Sequence, residues 1–272
     1  MAVGAEIIAF AHKLADAAGA AIRPYFRRRI DVADKGPSAG TAFDPVTAAD
    51  REAEQAIRAL IERTRPDDGI LGEEFGEKPS RNGRRWVLDP VDGTRAFITG
   101  RHEWGSLIAL EENGIPVLGI IDQPVLGERF LGVNGEAHML SQAEEVRLQV
   151  RSCSQLSGAV LCATHPNAYF TAAERAALGR LESKVRMTRF GGDCYLFAAL
   201  ALGFVDLIVE SCLKRWDVAA VIPVIEGAGG IITDWQGHPA HEGGQILAAS
   251  DRRVHREAME LLQAGPRDLS SS

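Results

Sequence analysis

The 272 residues carry a formal net charge of −7, with 46% hydrophobic and 25% charged side chains. This is chain enough for one large domain or two closely packed halves, and its acidic balance argues against nucleic acid or an anionic membrane as the main partner. The start, Met1 to Ala11, lacks a secretory signal, no apolar run reaches the ~18 residues of a membrane helix, and the four cysteines lack metal-ligand spacing, so a reduced cytoplasmic protein is expected.

Residues Glu6 to Arg28 predict an amphipathic helix, with Ile7, Phe10, Leu14 and Ala18 on one face and Arg27-Arg28-Arg29 near its C-terminus. Lys35 to Phe43 has no periodicity and reads as a mobile loop. Thr47 to Arg65 predicts a second helix, capped by Thr47 or Asp50 and burying Ala53, Ile57, Leu60 and Ile61. Short apolar segments follow at Gly69 to Gly72, Arg85 to Leu88, Trp104 to Glu111, Val117 to Asp122 and Glu128 to Val133. Turn residues such as Asn113-Gly114 between them predict an antiparallel sheet built by hairpins. The second half alternates. Strands are expected at Val160 to Thr164, Lys184 to Phe190, Val205 to Glu210 and Gly230 to Asp234; helices at Ala172 to Glu182, Cys194 to Leu202, Val218 to Ala228 and Arg253 to Leu262. Alternation of this kind implies layered α/β packing. The boundary is expected between an antiparallel-sheet half, 1–145, and an α/β half, 146–272, in one compact unit.

The chemistry concentrates at Asp89-Pro90-Val91-Asp92-Gly93-Thr94, which ends the strand Trp86-Val87-Leu88. Two carboxylates closing a buried strand are costly unless a cation compensates them. A turn permitted by proline and glycine lets Asp89, the Val91 carbonyl and Asp92 face one point, and hard oxygen donors suit Mg2+ or Mn2+. If a helix starts after Gly93, the free amides of Gly93, Thr94 and Arg95 form an anion cradle beside that cation. A surface turn is the bland alternative. Gly72-Glu73-Glu74 closes another strand; Asp217, after Trp216, reads alone as the N-cap of an apolar helix, and Asp44 and Asp50 as caps of the second helix.

Val46-Thr47-Ala48-Ala49-Asp50, Gly72-Glu73-Glu74, Asp89-Pro90-Val91-Asp92-Gly93-Thr94, Trp216-Asp217-Val218-Ala219 and Glu226-Gly227-Ala228-Gly229-Gly230 occur in that order. Together they resemble the inositol monophosphatase family over roughly residues 5 to 265. The resemblance implies a layered αβαβα sandwich (α/β, α+β) and a magnesium-dependent phosphomonoesterase acting on a small phosphorylated alcohol. It also implies a homodimer. Carried over by position, Glu73, Asp89 and the Val91 carbonyl hold a first Mg2+, and Asp89, Asp92 and Asp217 a second. A third ion is known in the family, and Lys35 resembles a lysine near it, although extra residues separate Lys35 from Asp44. Thr94 and Asp50, with Glu73, handle the attacking water; Gly93, Thr94 and Arg95 bind the substrate phosphate side.

Asp92-Gly93-Thr94-Arg95-Ala96-Phe97-Ile98, Gly119-Ile120-Ile121-Asp122-Gln123-Pro124 and Gly191-Gly192-Asp193-Cys194-Tyr195 look most like the histidinol-phosphate phosphatase branch. Histidinol phosphate carries an ammonium and an imidazole, so carboxylates away from the metals are expected, with Asp193 and Glu210 as candidates. Asp193 reads equally as a helix N-cap; Trp216 and Tyr195 are candidate pocket walls. Two other functions are weighed: an inositol-1-monophosphatase or broad phosphatase of the same chemistry, and a magnesium-binding protein without turnover. Intact Asp50 and Thr94 speak against the last.

Overall fold

The computed structural model describes residues 2–36 and 45–264. Asp44 and most of the expected 35–43 loop lie outside the described residues. The first helix, Ala5–Ile22, buries Ile7, Phe10, Leu14 and Ala18 as their spacing requires. It ends at Ile22, short of the Arg28 that periodicity alone predicts. Pro24 supplies the reason: Arg23 before it keeps helical angles and still bonds the Gly19 carbonyl, but Pro24 has no amide with which to continue the ladder. The chain then turns, with Arg27 at φ +57° donating to the Gly100 carbonyl at 2.9 Å. The second helix, Ala48–Thr64, is capped by Thr47, whose amide and hydroxyl in turn donate to Asp50.

Among the described residues, the larger sheet has eight strands. Their order is Glu145–Arg147, Glu136–Leu140, Glu128–Val133, Ile115–Gln123, Gly105–Glu112, Arg84–Asp92, Gly69–Gly72 and Gly76–Lys78. It is antiparallel except where Gly69–Gly72 lies parallel to Arg84–Asp92, so the expectation of hairpins throughout fails at that one junction. Side-chain alternation splits the strands between two cores. Trp86, Leu88, Ile108 and Leu110 pack against Phe10, Leu14, Ile57 and Ile61 of the first two helices. Val87, Leu107, Ala109 and Ile121 face the opposite way, toward Phe197, Val221 and Ile225.

Phe197 belongs to the helix Tyr195–Ala201; Val221 and Ile225 belong to Val221–Gly227. On the far side of these helices lies a five-stranded sheet, ordered Met187–Phe190, Val160–Ala163, Leu207–Leu213, Gly244–Ala249 and Ile231–Asp234. Its outer face, including Leu161, Leu207, Val209 and Leu247, is covered by Leu178 and Leu181 of the helix Ala172–Glu182 and by Val254, Ala258 and Leu262 of Arg252–Gln263. Helix, sheet, helix, sheet, helix: the expected αβαβα sandwich is the observed one.

Gly119 and Gly132 pair across two neighbouring strands and let the middle helix layer approach the sheet. A Cβ on Gly119 would stand 1.9 Å from the Ala220 carbonyl oxygen, and one on Gly132 would stand 2.2 Å from the Pro223 carbonyl. Both obstacles are backbone, so a rotamer change cannot clear them. Gly132→Ala is therefore expected to lower stability by about 2–3 kcal/mol, read as a lower urea midpoint; an unchanged midpoint would show that this layer can slide.

Candidate active site

The strand Arg84–Asp92 leaves the sheet through a bulge: Asp89 pairs with Leu107 but Asp92 with Gly105, so one extra residue sits between them. In a regular strand residues three apart point to opposite faces; the extra residue brings Asp89 and Asp92 to the same side. Asp89, 3% exposed, accepts the Val91 amide at 3.1 Å, and Asp92 accepts the Cys194 amide at 2.6 Å. Asp217 arrives from the other half of the chain. The apolar helix expected over Val218 to Ala228 is divided into Arg215–Val218 and Val221–Gly227, and Asp217 lies inside the first piece rather than before it. There it accepts the Lys214 amide at 2.6 Å, so it caps this short helix from within and is not the N-cap of the longer one. Oxygens of Asp89, Asp92 and Asp217 all lie within 4.8 Å of one another.

Such crowding has an electrostatic signature. Burial, followed by the charges of Glu73, Asp92 and Asp217, pushes the Asp89 carboxyl well above its ordinary range. Burial and then Asp92 do the same to Asp217; burial raises Asp92 against the opposing Cys194 hydrogen bond. Glu73 stands at the margin, its amide bonded to the Leu88 carbonyl at 3.2 Å and its carboxylate to Lys35 at 2.9 Å. Burial lifts Glu73 to about 7 despite that lysine. Lys35 also binds Glu74, and these two acids outweigh burial to hold its pKa above the ordinary lysine value.

Asp50 performs two tasks. One oxygen completes the helix cap with Thr47 and the other lies 3.5 Å from the Thr94 hydroxyl, which donates to the Val91 carbonyl at 3.1 Å. Burial raises the Asp50 pKa against the pull of the Thr47 bonds. Gly93, at φ +87°, precedes the short helix Thr94–Ile98, and a Cβ there would stand 3.0 Å from both the Asp193 side chain and the Glu103 carbonyl. Only glycine fits the turn.

Glu73, Asp89, Asp92, Gly93, Thr94 and Asp217 line a cavity of roughly 290 Å³ together with Arg95, Tyr169, Asp193, Glu210 and Trp216. Asp193 adopts φ +45° and makes no side-chain cap to the helix Tyr195–Ala201, so its N-cap reading fails. Burial, then Asp92 and Glu210, hold it well above the ordinary carboxylate range. Glu210 lies within the strand Leu207–Leu213, beside a bulge, where it accepts the Thr164 amide and hydroxyl, both at 2.7 Å. Its pKa rises to about 8 through burial. Trp216 does line the cavity, whereas the Tyr195 hydroxyl turns away to Glu128. Its place is taken by Tyr169, over whose ring the Arg95 guanidinium lies at 5.2 Å. Sequence reasoning missed Tyr169 because the short helix Pro166–Tyr169 that carries it has no periodicity to read.

Three of the motifs line one cleft and a fourth reaches it through Asp50 beside Thr94, which gathers Asp50, Glu73, Asp89, Asp92 and Asp217 on one acidic side. The fifth, Glu226 to Gly230, lies elsewhere: Glu226 and Gly227 line a separate pocket with Val3, Pro116 and Pro223. The sequence profile of the inositol monophosphatase family matches residues 4–267. Among curated relatives, the chain is 43% identical over 266 residues to the bifunctional phosphatase IMPL2 of Arabidopsis thaliana, covering 94% of this chain and 74% of the relative. It is 36% identical over 257 residues to a histidinol-phosphatase of Chlorobaculum parvum, covering 94% and 96%. A solved inositol monophosphatase from Zymomonas mobilis superposes with a TM-score of 0.84 at 43% identity, covering 96% of this chain and all of that one.

Proposed function

The chain belongs to the inositol monophosphatase family of phosphatases, and on that footing we propose that it is a magnesium-dependent histidinol-phosphate phosphatase, releasing L-histidinol and phosphate. The observation carrying the metal dependence is the set of Asp89, Asp92 and Asp217 oxygens within 4.8 Å. Three carboxylates so placed repel one another unless protonated or bridged by a cation. An all-oxygen donor set fits Mg2+, with Mn2+ as a substitute. In this reading Glu73, Asp89 and the Val91 carbonyl would hold one ion and Asp89, Asp92 and Asp217 a second. Divalent ions held by these residues would supply charge neutralisation for the phosphate dianion and for the leaving alkoxide.

The chain's own residues supply the remainder. The amides of Gly93 and Thr94 hold phosphate oxygens, and Arg95 adds positive charge at the mouth. The Thr94 hydroxyl, bonded to the Val91 carbonyl and in reach of Asp50, orients the attacking water. Asp50, with a pKa raised by burial, receives its proton.

Asp193 and Glu210 give the substrate reading its physical basis. Both are buried acids that, among the described residues, have no cationic side chain hydrogen-bonded to them, the Arg95 charge acting only weakly on Asp193, and an ammonium or imidazolium entering the cavity relieves the cost of ionising them. The relative from Chlorobaculum parvum supports the same substrate. A second reading, inositol 1-phosphate, is favoured by the Zymomonas mobilis structure, since Glu210 serves a substrate hydroxyl equally well. Phosphate release with Mg2+ at matched concentrations of the two substrates separates them: a kcat/KM preference of about tenfold or more for histidinol phosphate is expected, and no preference would discard this substrate. Asp193→Asn tests the specificity group without straining the backbone, because asparagine tolerates positive φ. It is expected to cost histidinol phosphate about tenfold more in kcat/KM than a neutral phosphomonoester, a buried charge pair being worth more than ~1.4 kcal/mol. Equal losses on both would remove Asp193 from specificity.

A further inference from the structure

Glu54 has no role in the reaction outlined above, yet it is 0% exposed. A carboxylate is buried this completely only when hydrogen bonds repay its lost hydration. Here three donors do so: the Glu74 amide at 2.8 Å, the Phe75 amide at 3.2 Å and Arg58 Nε at 2.7 Å. Two of the three belong to the turn that follows Glu73.

The arrangement reaches the cluster of acids in two steps. Glu73 is pinned on one side by its amide bond to the carbonyl of Leu88, the residue before Asp89. On the other side the Glu54 carboxylate grips the next two amides. Gly72 makes room for it: a Cβ there would stand 1.9 Å from Glu54 Oε1. The glycine that opens Gly72-Glu73-Glu74 is therefore needed for the close approach of Glu54. Lys35 also holds Glu73, but through its carboxylate, where it competes with any cation. Glu54 fixes only backbone, leaving both Glu73 oxygens available. Asp50 lies one helical turn before Glu54 on Ala48–Thr64, about 6 Å along the axis. One rigid helix thereby sets the spacing between the water-handling acid and a metal-binding acid.

We propose that Glu54 is a positioning residue that anchors the Gly72-Glu73-Glu74 turn and so presents Glu73 to the divalent cation; this rests on the metal site proposed above. Groups that orient metal ligands govern affinity, with losses of about 10–100-fold when removed. A merely structural Glu54 would lower the melting temperature without altering how the protein responds to Mg2+.

The test measures, for the full chain, Glu54→Ala and Glu54→Gln, the Mg2+ concentration giving half of the maximal rise in melting temperature, together with kcat at saturating Mg2+. Glu54→Ala is expected to raise that midpoint about tenfold or more, with kcat at saturation within about threefold of wild type. Glu54→Gln, which keeps one accepting oxygen and the volume, is expected to fall between. An unchanged midpoint in a folded Glu54→Ala overturns the proposal. Should that variant not fold, an unchanged midpoint in Glu54→Gln overturns it instead. A wild-type chain whose melting is indifferent to Mg2+ overturns the metal site and the positioning role together, which separates the two failures.

Discussion

Asp92→Asn will reduce kcat by about a thousandfold or more and yet give a protein that melts higher than wild type in chelator. The loss of activity follows from geometry: Asp92 is one of three acids whose oxygens crowd within 4.8 Å, and losing one charge weakens the cation held where the transition-state charge develops. The gain in stability follows from the same crowding with its sign reversed. Without a cation, the Asp92 charge repels, and so raises, both Asp89 and Asp217. Asparagine removes that charge while keeping an oxygen to accept the Cys194 amide. Adding Mg2+ should then raise the melting temperature of wild type more than that of the variant. Phosphate release and thermal melting with and without EDTA check both halves. Near-normal activity would reject the metal assignment; lower stability in chelator would show that Asp92 serves the fold.

The fold was legible wherever a pattern had a single physical cause. Ala48–Thr64 and Ala172–Glu182 were readable because a capping threonine precedes each apolar stripe. Glu128–Val133 was equally plain, because its apolar Phe130-Leu131 centre sits between the turn residues Gly127 and Asn134-Gly135. Gly244–Ala249 was not, although it lies inside the second sheet between Leu207–Leu213 and Ile231–Asp234. Its sequence, Gly-Gln-Ile-Leu-Ala-Ala, has little alternation, and small residues give no signal of which face they serve. The weak strands Glu145–Arg147 and Gly76–Lys78 are polar edges, stabilised by pairing rather than by burial.

The site divides in the same manner. Asp89 and Asp92 stood out because a strand should not end in two acids without compensation. Asp217 could be recognised only through its resemblance, since a lone acid beside a helix fits a cap, and it does cap locally. Glu54 was overlooked as a helix glutamate among polar neighbours. A signal existed: Asp50, Glu54 and Ile57 lie four and three residues apart, placing Glu54 on the buried face. What sequence could not supply was the partner, because the amides it holds lie twenty residues away.

The second large effect concerns pH. In chelator, the protein is expected to lose stability as pH rises from 6.5 to 8, and Mg2+ should restore most of it. Burial holds Glu73 at about 7 and Glu210 at about 8, against an ordinary value of 4.5 for each. Between those limits the folded chain retains protons that the unfolded chain has shed, so stability falls with rising pH. Asp89, Asp92, Asp193 and Asp217 shift in the same direction. The half-buried His12 and the buried His255, whose pKa values are lowered by burial, act oppositely but only below 6.5. Asp206 and Asp251, with lowered values, have contributed fully by then. Each proton withheld costs about 1.4 kcal/mol per pH unit above the window's start, or about 2–4 °C in melting temperature. A cation among Glu73, Asp89, Asp92 and Asp217 removes their share, leaving Asp193 and Glu210. The Mg2+-induced rise should therefore be larger at pH 8 than at 6.5, and Glu210→Gln should flatten the slope that persists in Mg2+. Equal rises at both pH values would mean that the cation does not displace protons from these acids, and the metal would have to bind elsewhere.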